Sequence, residues 1–346
     1  MKSLFANISL VVLLNVLVKP AWLLVEMKVQ DVIGHEKWAT YAALLSLGFL
    51  FITLSDLGIN QYATKTLASE RADDEEGFAH LLGIKLVLTV LYPIFMLGVG
   101  WILRYTWAEL QLLFWLCLIQ GGNQMMMFFR ARFQAAQRFK MDGWLSVVDR
   151  IALLIIVGTL FLTRLDMGRF VFARLAAVSI AIILMYSLSV RLFGWTRPRL
   201  QLPETRKVLK LSLSFALMTI LYSIHDKVDQ VMLERMYPDP TANGLYVAAY
   251  RWLDAFSMYL WTVLPIFFAR FAYFLHDLKE QRKLLHFGQV MAALPMIFVG
   301  GFVLTYGDLL LFPYKNSTPE ELTTIHTCLK WLFVAAIFNG VFAVFS

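Results

Sequence analysis

The chain has 346 residues, of which 59% are hydrophobic, 15% aromatic and only 16% charged, with a mean hydropathy of +0.65. Soluble domains carry about 45–50% apolar and about 25% charged residues, so a soluble globular enzyme is excluded, as are disorder, collagen and coiled coil. Two cysteines, Cys117 and Cys328, both inside apolar runs, rule out a disulfide framework or a CxxC metal site. The six histidines never pair at i,i+3 or i,i+4, so no helix offers metal-ligand spacing and no cofactor is expected.

In chain order, apolar runs fall at 4–25, 38–58, 79–103, 107–129, 142–163, 170–190, 208–235, 244–268, 287–307 and 328–346. A bilayer-spanning helix needs about 20 residues, and continuous runs of this length fit helices rather than the alternating strands of a membrane barrel. Ten transmembrane helices are predicted. The first is not a cleaved signal peptide, because it carries Asn15 and Lys19 and no small-residue cleavage pattern follows Pro20. Prolines inside the runs (Pro20, Pro93, Pro265, Pro295) each remove a backbone hydrogen bond and bend a helix.

Lys and Arg set the orientation. With the N-terminus inside, the cytoplasmic connections hold 17 of them, the exterior ones 7, and the remaining 7 of 31 lie within spans. A cytoplasmic N-terminus is predicted, with 26–37 and 308–327 outside. The same bias accounts for the net charge of +7, so no nucleic-acid partner is required, and the basic segment 130–140 reads as a loop lying on anionic lipid headgroups. Tyr41, Ala43 and Lys65 echo Tyr246, Ala248 and Arg270 at an offset of 205 residues. That offset carries helix two onto helix eight and implies two six-helix lobes. The expected division is a first lobe over 1–190, a cytoplasmic linker over 191–207 and a second lobe over 208–346.

Charges inside the spans are the informative residues, since each costs about 2.5–3.5 kcal/mol at a helix centre and must face a partner or a watery cavity. At ~100° per residue, Tyr222, Ser223, Asp226, Lys227, Asp229, Gln230 and Glu234 of helix seven fall on one stripe. Helix eight repeats the pattern with Tyr246, Tyr250, Asp254 and Ser257, and with Arg251 one turn from Asp254. Asn15 and Lys19 of helix one and Ser55 and Asp56 of helix two add to the polar set. Two arrangements account for these charges. Either Lys19, Lys227 and Arg251 line a central hydrated cavity that attracts an anion, or they pair locally, Lys227 with Asp226 or Asp229 and Arg251 with Asp254. Lys85, Arg150, Arg174 and Lys330 are within snorkelling reach of headgroups; Arg150 is kept as a candidate anion contact.

Three stretches, VLVKPAWLLVEMKVQDVIG (16–34), YAALLSLGFLFITLSDLGINQYATKTLA (41–68) and HDKVDQVMLERMYPDPTANGLYVAAYRWLDAF (225–256), resemble the polysaccharide flippases, O-antigen flippases among them, of the multidrug/oligosaccharidyl-lipid/polysaccharide exporter superfamily. The resemblance implies an all-α, multi-pass bacterial inner-membrane protein of two pseudo-symmetric six-helix lobes. Its cationic cleft, lined by helices one, two, seven and eight, moves a polyprenyl-diphosphate-linked oligosaccharide outward, and its partners include a polysaccharide polymerase and glycosyltransferases. Against that plan the tenth run stops at Ser346, so the second lobe is expected to be incomplete. Substrate contacts are expected at Lys19, Lys227, Arg251 and Arg150, and ion coupling at Asp56, Asp226, Asp229 and Asp254. A cation-coupled multidrug exporter of the same superfamily is the alternative that the four aspartates keep open. A membrane polysaccharide-synthesis enzyme is disfavoured, because no long exterior loop and no intramembrane His/acid pair occurs.

Overall fold

The computed structural model describes residue 18 and residues 20–342 apart from 71–74, 137, 238, 240 and 274–277. Every regular element among them is helical, as the apolar runs require. Most of the run 4–25, including Lys19, lies outside the described residues.

Helix α1 (20–33) continues without a break through the segment expected to be an exterior loop, because nothing between Pro20 and Gly34 interrupts it. Gly34, at φ 95°, makes the elbow into α2 (His35–Leu50). The predicted second helix is not continuous. A 3₁₀ turn (Ile52–Ser55) follows α2, Leu57 and Gly58 take positive φ values of 47° and 78°, and α3 (Ile59–Glu70) resumes beyond them. Two successive left-handed residues cannot sit in an α-helix, so the chain turns at Asp56 instead of ending there.

Next come α4 (Glu75–Ile102) and α5 (Trp107–Ala135), the second opened by a capping box between Thr106 and Glu109. The fifth predicted helix is split into α6 (Phe139–Leu145) and α7 (Val148–Leu162), and α8 (Met167–Phe193) closes the series. The predicted linker 191–207 shrinks to an extended strip over 194–201 before α9 (Leu202–Met236). That strip lies on α4: the Arg199 amide donates to the Ala79 carbonyl at 3.0 Å, and a Cβ at Gly83 would stand 2.2 Å from the Arg199 carbonyl oxygen. Helices α10 (Ala242–Tyr273), α11 (Leu278–Tyr306) and α12 (Pro319–Phe342) complete the described chain.

Six helical segments among the described residues are long and apolar enough to cross a membrane: Glu75–Ile102, Trp107–Ala135, Lys140–Leu162, Met167–Phe193, Leu285–Leu311 and Pro319–Phe338. Of the ten predicted spans, the first lies largely outside the described residues and the second is broken in two at residues 51–58.

The chain divides into two compact units, one of residues 1–22 and 40–238, the other of residues 23–39 and 239–346. Helix α9 belongs with the first unit and the 23–39 segment with the second, which differs from a division at 191–207. In the first unit α5 is central and packs on α3, α4 and α8. In the second, α12 packs on α10 and α11, over a core that includes Met27, Ala248, Tyr314 and Phe333, all at most 1% exposed. Tyr41 and Ala43 are fully buried in the first unit, and Ala248, the counterpart of Ala43 at the 205-residue offset, is fully buried in the second.

Three charges occupy places that the sequence misassigned. Lys85 does not snorkel to headgroups: it is fully buried and its ammonium donates to Asp56, whose Oδ1 also accepts from the Asn60 amide. Helix α4 presents Lys85 to the polar backbone break in residues 51–58, and a partner carboxylate there is cheaper than the route to water. The segment 130–140 is not a loop on lipid either, since α5 runs through Ala135. Arg130 grips Asp142 with two nitrogens, at 2.6 and 3.1 Å. Arg132 is buried between the Phe78 and Phe193 rings, at 3.9 and 4.5 Å from their centroids, and donates to Ser189 and Thr196, an arrangement that suits a planar, weakly hydrated guanidinium.

Candidate substrate-binding residues

The polar stripe of α9 packs inward within the first unit. Ser46 donates to Gln230 at 2.7 Å, Tyr105 donates to Glu234 at 3.1 Å, and Arg235 both pairs with Glu234 at 3.3 Å and lies over the Tyr105 ring at 3.5 Å. Lys227 pairs with its neighbour Asp226 at 3.0 Å, one of the two local partners the stripe offers, while Asp229 accepts from the Gln230 amide. The stripe is therefore only partly available to a ligand. Its C-terminal end is occupied by structural bonds, and Asp226, Lys227 and Asp229 lie above them.

In the second unit Arg251 does not lean on Asp254 alone. It donates to Glu26 of α1 at 3.2 Å, with 16% of the arginine side chain and 5% of the glutamate exposed. Glu26 went unnoticed because residues 26–37 read as a loop; the absence of any Gly or Pro between 21 and 33 was the signal that α1 continues. The same network holds the elbow. Lys28 and the Asn316 amide both donate to Asp31, and Gln30 donates to the Gly244 carbonyl and to His35 Nδ1. With Nδ1 accepting, the imidazole carries its proton on Nε2, 2.8 Å from Ser317 Oγ. Burial pushes the His35 pKa below its usual range, against the opposing pull of Glu321 and Asp31.

Arg150 sits mid-span. It lies ten residues after Lys140 and twelve before Leu162 on that membrane segment, because α6 lengthens the span at its N-terminal end. It pairs with Asp149 at 3.2 Å and lines a pocket in the first unit, together with Asn123 of α5 and Arg174, Ala177 and Val178 of α8. Arg174 also donates to the Tyr41 hydroxyl. Of the expected substrate cations, then, Arg150 lines this pocket beside a second arginine, Lys227 and Arg251 pair with Asp226 and Glu26, and Lys19 is outside the described residues. Of the expected coupling aspartates, Asp56 holds Lys85 and Asp226 holds Lys227. No group of three or more His, Cys, Asp or Glu side chains among the described residues is placed to hold a metal ion.

Comparison with known proteins agrees with this architecture. A family model described as "Polysaccharide biosynthesis protein" matches residues 4–268. Among solved structures, an inward-facing multidrug resistance MATE family transporter of the MOP superfamily aligns at a TM-score of 0.67 and 12% identity, over 93% of this chain and 81% of that one. An outward-facing MATE family transporter of the same superfamily aligns at 0.63 and 13% identity, over 97% and 82%. A MOP superfamily transporter from Pyrococcus furiosus, for which reverse polarity of the binding pocket is said to suggest a different function, aligns at 0.54 and 13% identity, over 98% and 83%. At such identities the likeness is one of fold. No curated protein matches the sequence.

Proposed function

The chain belongs to the polysaccharide biosynthesis protein family, and from that premise we propose that it is a flippase rather than an enzyme, moving a polyprenyl-diphosphate-linked oligosaccharide outward across the bacterial inner membrane by alternating access. The observation that carries this reading is the family match over 4–268 in a multi-pass chain with the fold of MOP superfamily transporters. Glycosyltransferases that build the glycan and a polymerase that extends it are its partners in the pathway.

The chemistry of the in-span cations supports the substrate class. A diphosphate presents several anionic oxygens, which a guanidinium meets with two parallel N–H bonds and an ammonium meets as a point charge. Arg251, Arg150 and Lys227 are each held by a carboxylate, from Glu26, Asp149 and Asp226. One carboxylate brings one negative charge; a diphosphate brings more, and competes for the cation. Lys19 completes the proposed set. The prenyl tail stays in lipid while the headgroup crosses, and Asp56, Asp226, Asp229 and Asp254 are the proposed sites through which an ion gradient drives the cycle.

Export of surface glycan in a strain lacking the native gene tests this. Lys227→Ala and Arg251→Ala each abolish export with the protein still inserted at normal level, and Arg251→Lys retains part of it. Glu26→Gln combined with Arg251→Gln separates function from structure: it removes the pair without stranding a buried charge, and the protein accumulates but does not export. Normal export by the double variant, or by both alanine variants, overturns the reading.

A further inference from the structure

Gln30 and His35, at the elbow between α1 and α2, take no part in the proposed anion binding or ion coupling, yet both are buried, at 0% and 5% exposed. Gly34 turns the chain there, and Gly244 in the first turn of α10 lets the elbow approach so closely that a Cβ on it would stand 2.1 Å from the His35 carbonyl oxygen. The Gln30 amide reaches across this contact, its Nε2 2.8 Å from the Gly244 carbonyl oxygen and 3.0 Å from His35 Nδ1. A carbonyl only accepts, so the atom between them is the NH₂ group, and both of its hydrogens are committed. Nδ1 is therefore the bare nitrogen, and the ring proton sits on Nε2, 2.8 Å from Ser317 Oγ. This arrangement suits one charge state only. An imidazolium carries N–H on both nitrogens, and its Nδ1–H would point at the Gln30 NH₂. Turning the amide over would bring Oε1 to the imidazolium but set it against the Gly244 carbonyl, because a single atom serves both partners. It would also leave the NH₂ where Oε1 now lies, buried without a partner. No orientation of Gln30 satisfies both a protonated His35 and Gly244.

We propose that Gln30, His35 and Gly244 form a pH-sensitive latch within the second unit: with His35 neutral the amide clamps the elbow to the start of α10, and protonation of the imidazole breaks the clamp and frees the elbow. The groups that face the ring set the sign. Asp31 of α1, itself held by Lys28, and Glu321 of α12 favour the imidazolium, but burial outweighs them and keeps the His35 pKa below its usual range. The Tyr314 ring packs on the imidazole at 5.8 Å between centroids and donates its own hydroxyl to the Ala248 carbonyl, and α10 meets the elbow at a residue without a side chain. Glu36 and Lys37, next to His35 in α2, are exposed. A freed elbow takes the proton more readily than the clamped one, so the latch is intact above the ordinary histidine range, about 6.5, and weakens as the pH falls below it. The proposal goes beyond the flippase reading and does not rest on it.

Backbone hydrogen exchange of the full chain in nanodiscs, read by mass spectrometry at pH 7.5 and pH 5 and corrected for the intrinsic pH dependence of amide exchange, tests the latch. In the unaltered protein, exchange over residues 30–38 is expected to accelerate at least about tenfold at pH 5, while α5 stays protected. His35→Asn keeps an acceptor toward Gln30 and cannot be protonated, so it should remain slow at both pH values; His35→Gln takes its place if the asparagine variant does not accumulate. Gln30→Leu removes the clamp and should exchange fast at both. No acceleration in the unaltered protein overturns the proposal, and so does an equal acceleration in the unprotonatable variant, which would trace the effect to other groups. A second measurement reads the ring itself. With ¹⁵N-labelled histidine, the resonances lost in the His35 variant should show the Nε2–H tautomer at pH 7.5 and the imidazolium at pH 5. The Nδ1–H tautomer at the higher pH, or a ring still neutral at the lower one, overturns the latch.

Discussion

Asp56 and Lys85 show what a single pair of residues contributes at membrane depth. The ammonium is fully buried and the carboxylate 10% exposed, so each neutralises a charge that its surroundings cannot solvate. Removing one partner of such a pair costs about 3–5 kcal/mol, because the other is left charged in a low-dielectric site, whereas removing both is often neutral. Lys85→Met and Asp56→Asn are therefore each expected to lower the thermal unfolding temperature of the detergent-solubilised protein by several degrees. The double variant should return close to the wild-type value. If Asp56 also couples an ion gradient to transport, the double variant folds normally yet fails to export glycan; full export would reduce the pair to a structural role. Sequence reading found Asp56 as a polar residue at a helix end and Lys85 as a surface-seeking cation. Neither residue's own neighbourhood in sequence names the other, 29 positions away, and only the packing of α4 against the 51–58 break joins them.

At the scale of elements, hydropathy located the helices well and their interruptions poorly. Long apolar runs such as 79–103 and 170–190 became α4 and α8 because length and lipid leave one solution. The breaks were missed where they depend on backbone geometry: Leu57 is not a residue whose type announces φ 47°, and neither glycine nor proline stands at the division between α6 and α7, at Ser146 and Val147. The opposite error, reading a loop where α1 and α5 continue, came from letting charge override helix continuity. Arg132 is buried all the same, because two aromatic rings and two hydroxyls receive it. The strip 194–201 adds a contact that no pattern foretells, a connection laid across a helix at a glycine. Because a Cβ at Gly83 would overlap the Arg199 carbonyl, which is backbone and cannot rotate away, Gly83→Ala is expected to lift the strip from α4. Trypsin reports this directly. Cleavage after Arg199 should accelerate at least severalfold in the variant, with the transmembrane helices still protected. An unchanged cleavage rate would show that the strip is held by other contacts, such as the Arg199 to Glu76 pair at 3.1 Å.

For the whole molecule, orientation decides which way a flippase works, and it is the property for which the sequence has a direct physical signal. Lys and Arg near span ends are retained on the side of synthesis, and with one expected cytoplasmic contributor, Arg132, buried, the predicted division becomes 16 against 7. What the count does not weigh is whether the intermediate helices all cross. Six described segments are long and apolar enough by length and composition, while α9 and α10 carry in-span cations paired with carboxylates, Lys227 with Asp226 and Arg251 with Glu26. Each of them must nonetheless reverse the chain for the ends to fall on the predicted sides, so an orientation test is also a test of their crossing. Lys315 is exposed in the connection before α12, predicted outside; Arg199 is exposed in the strip before α9, predicted inside. With Cys117 and Cys328 replaced by Ala, a cysteine at 315 is expected to react with an impermeant maleimide in intact spheroplasts, and a cysteine at 199 only after the membrane is opened. The two positions are separated by α9, α10 and α11. If all three cross, 199 and 315 lie on opposite sides, whereas labelling of both from one side would mean that one of the three does not span and would remove the alternating geometry on which outward transport depends.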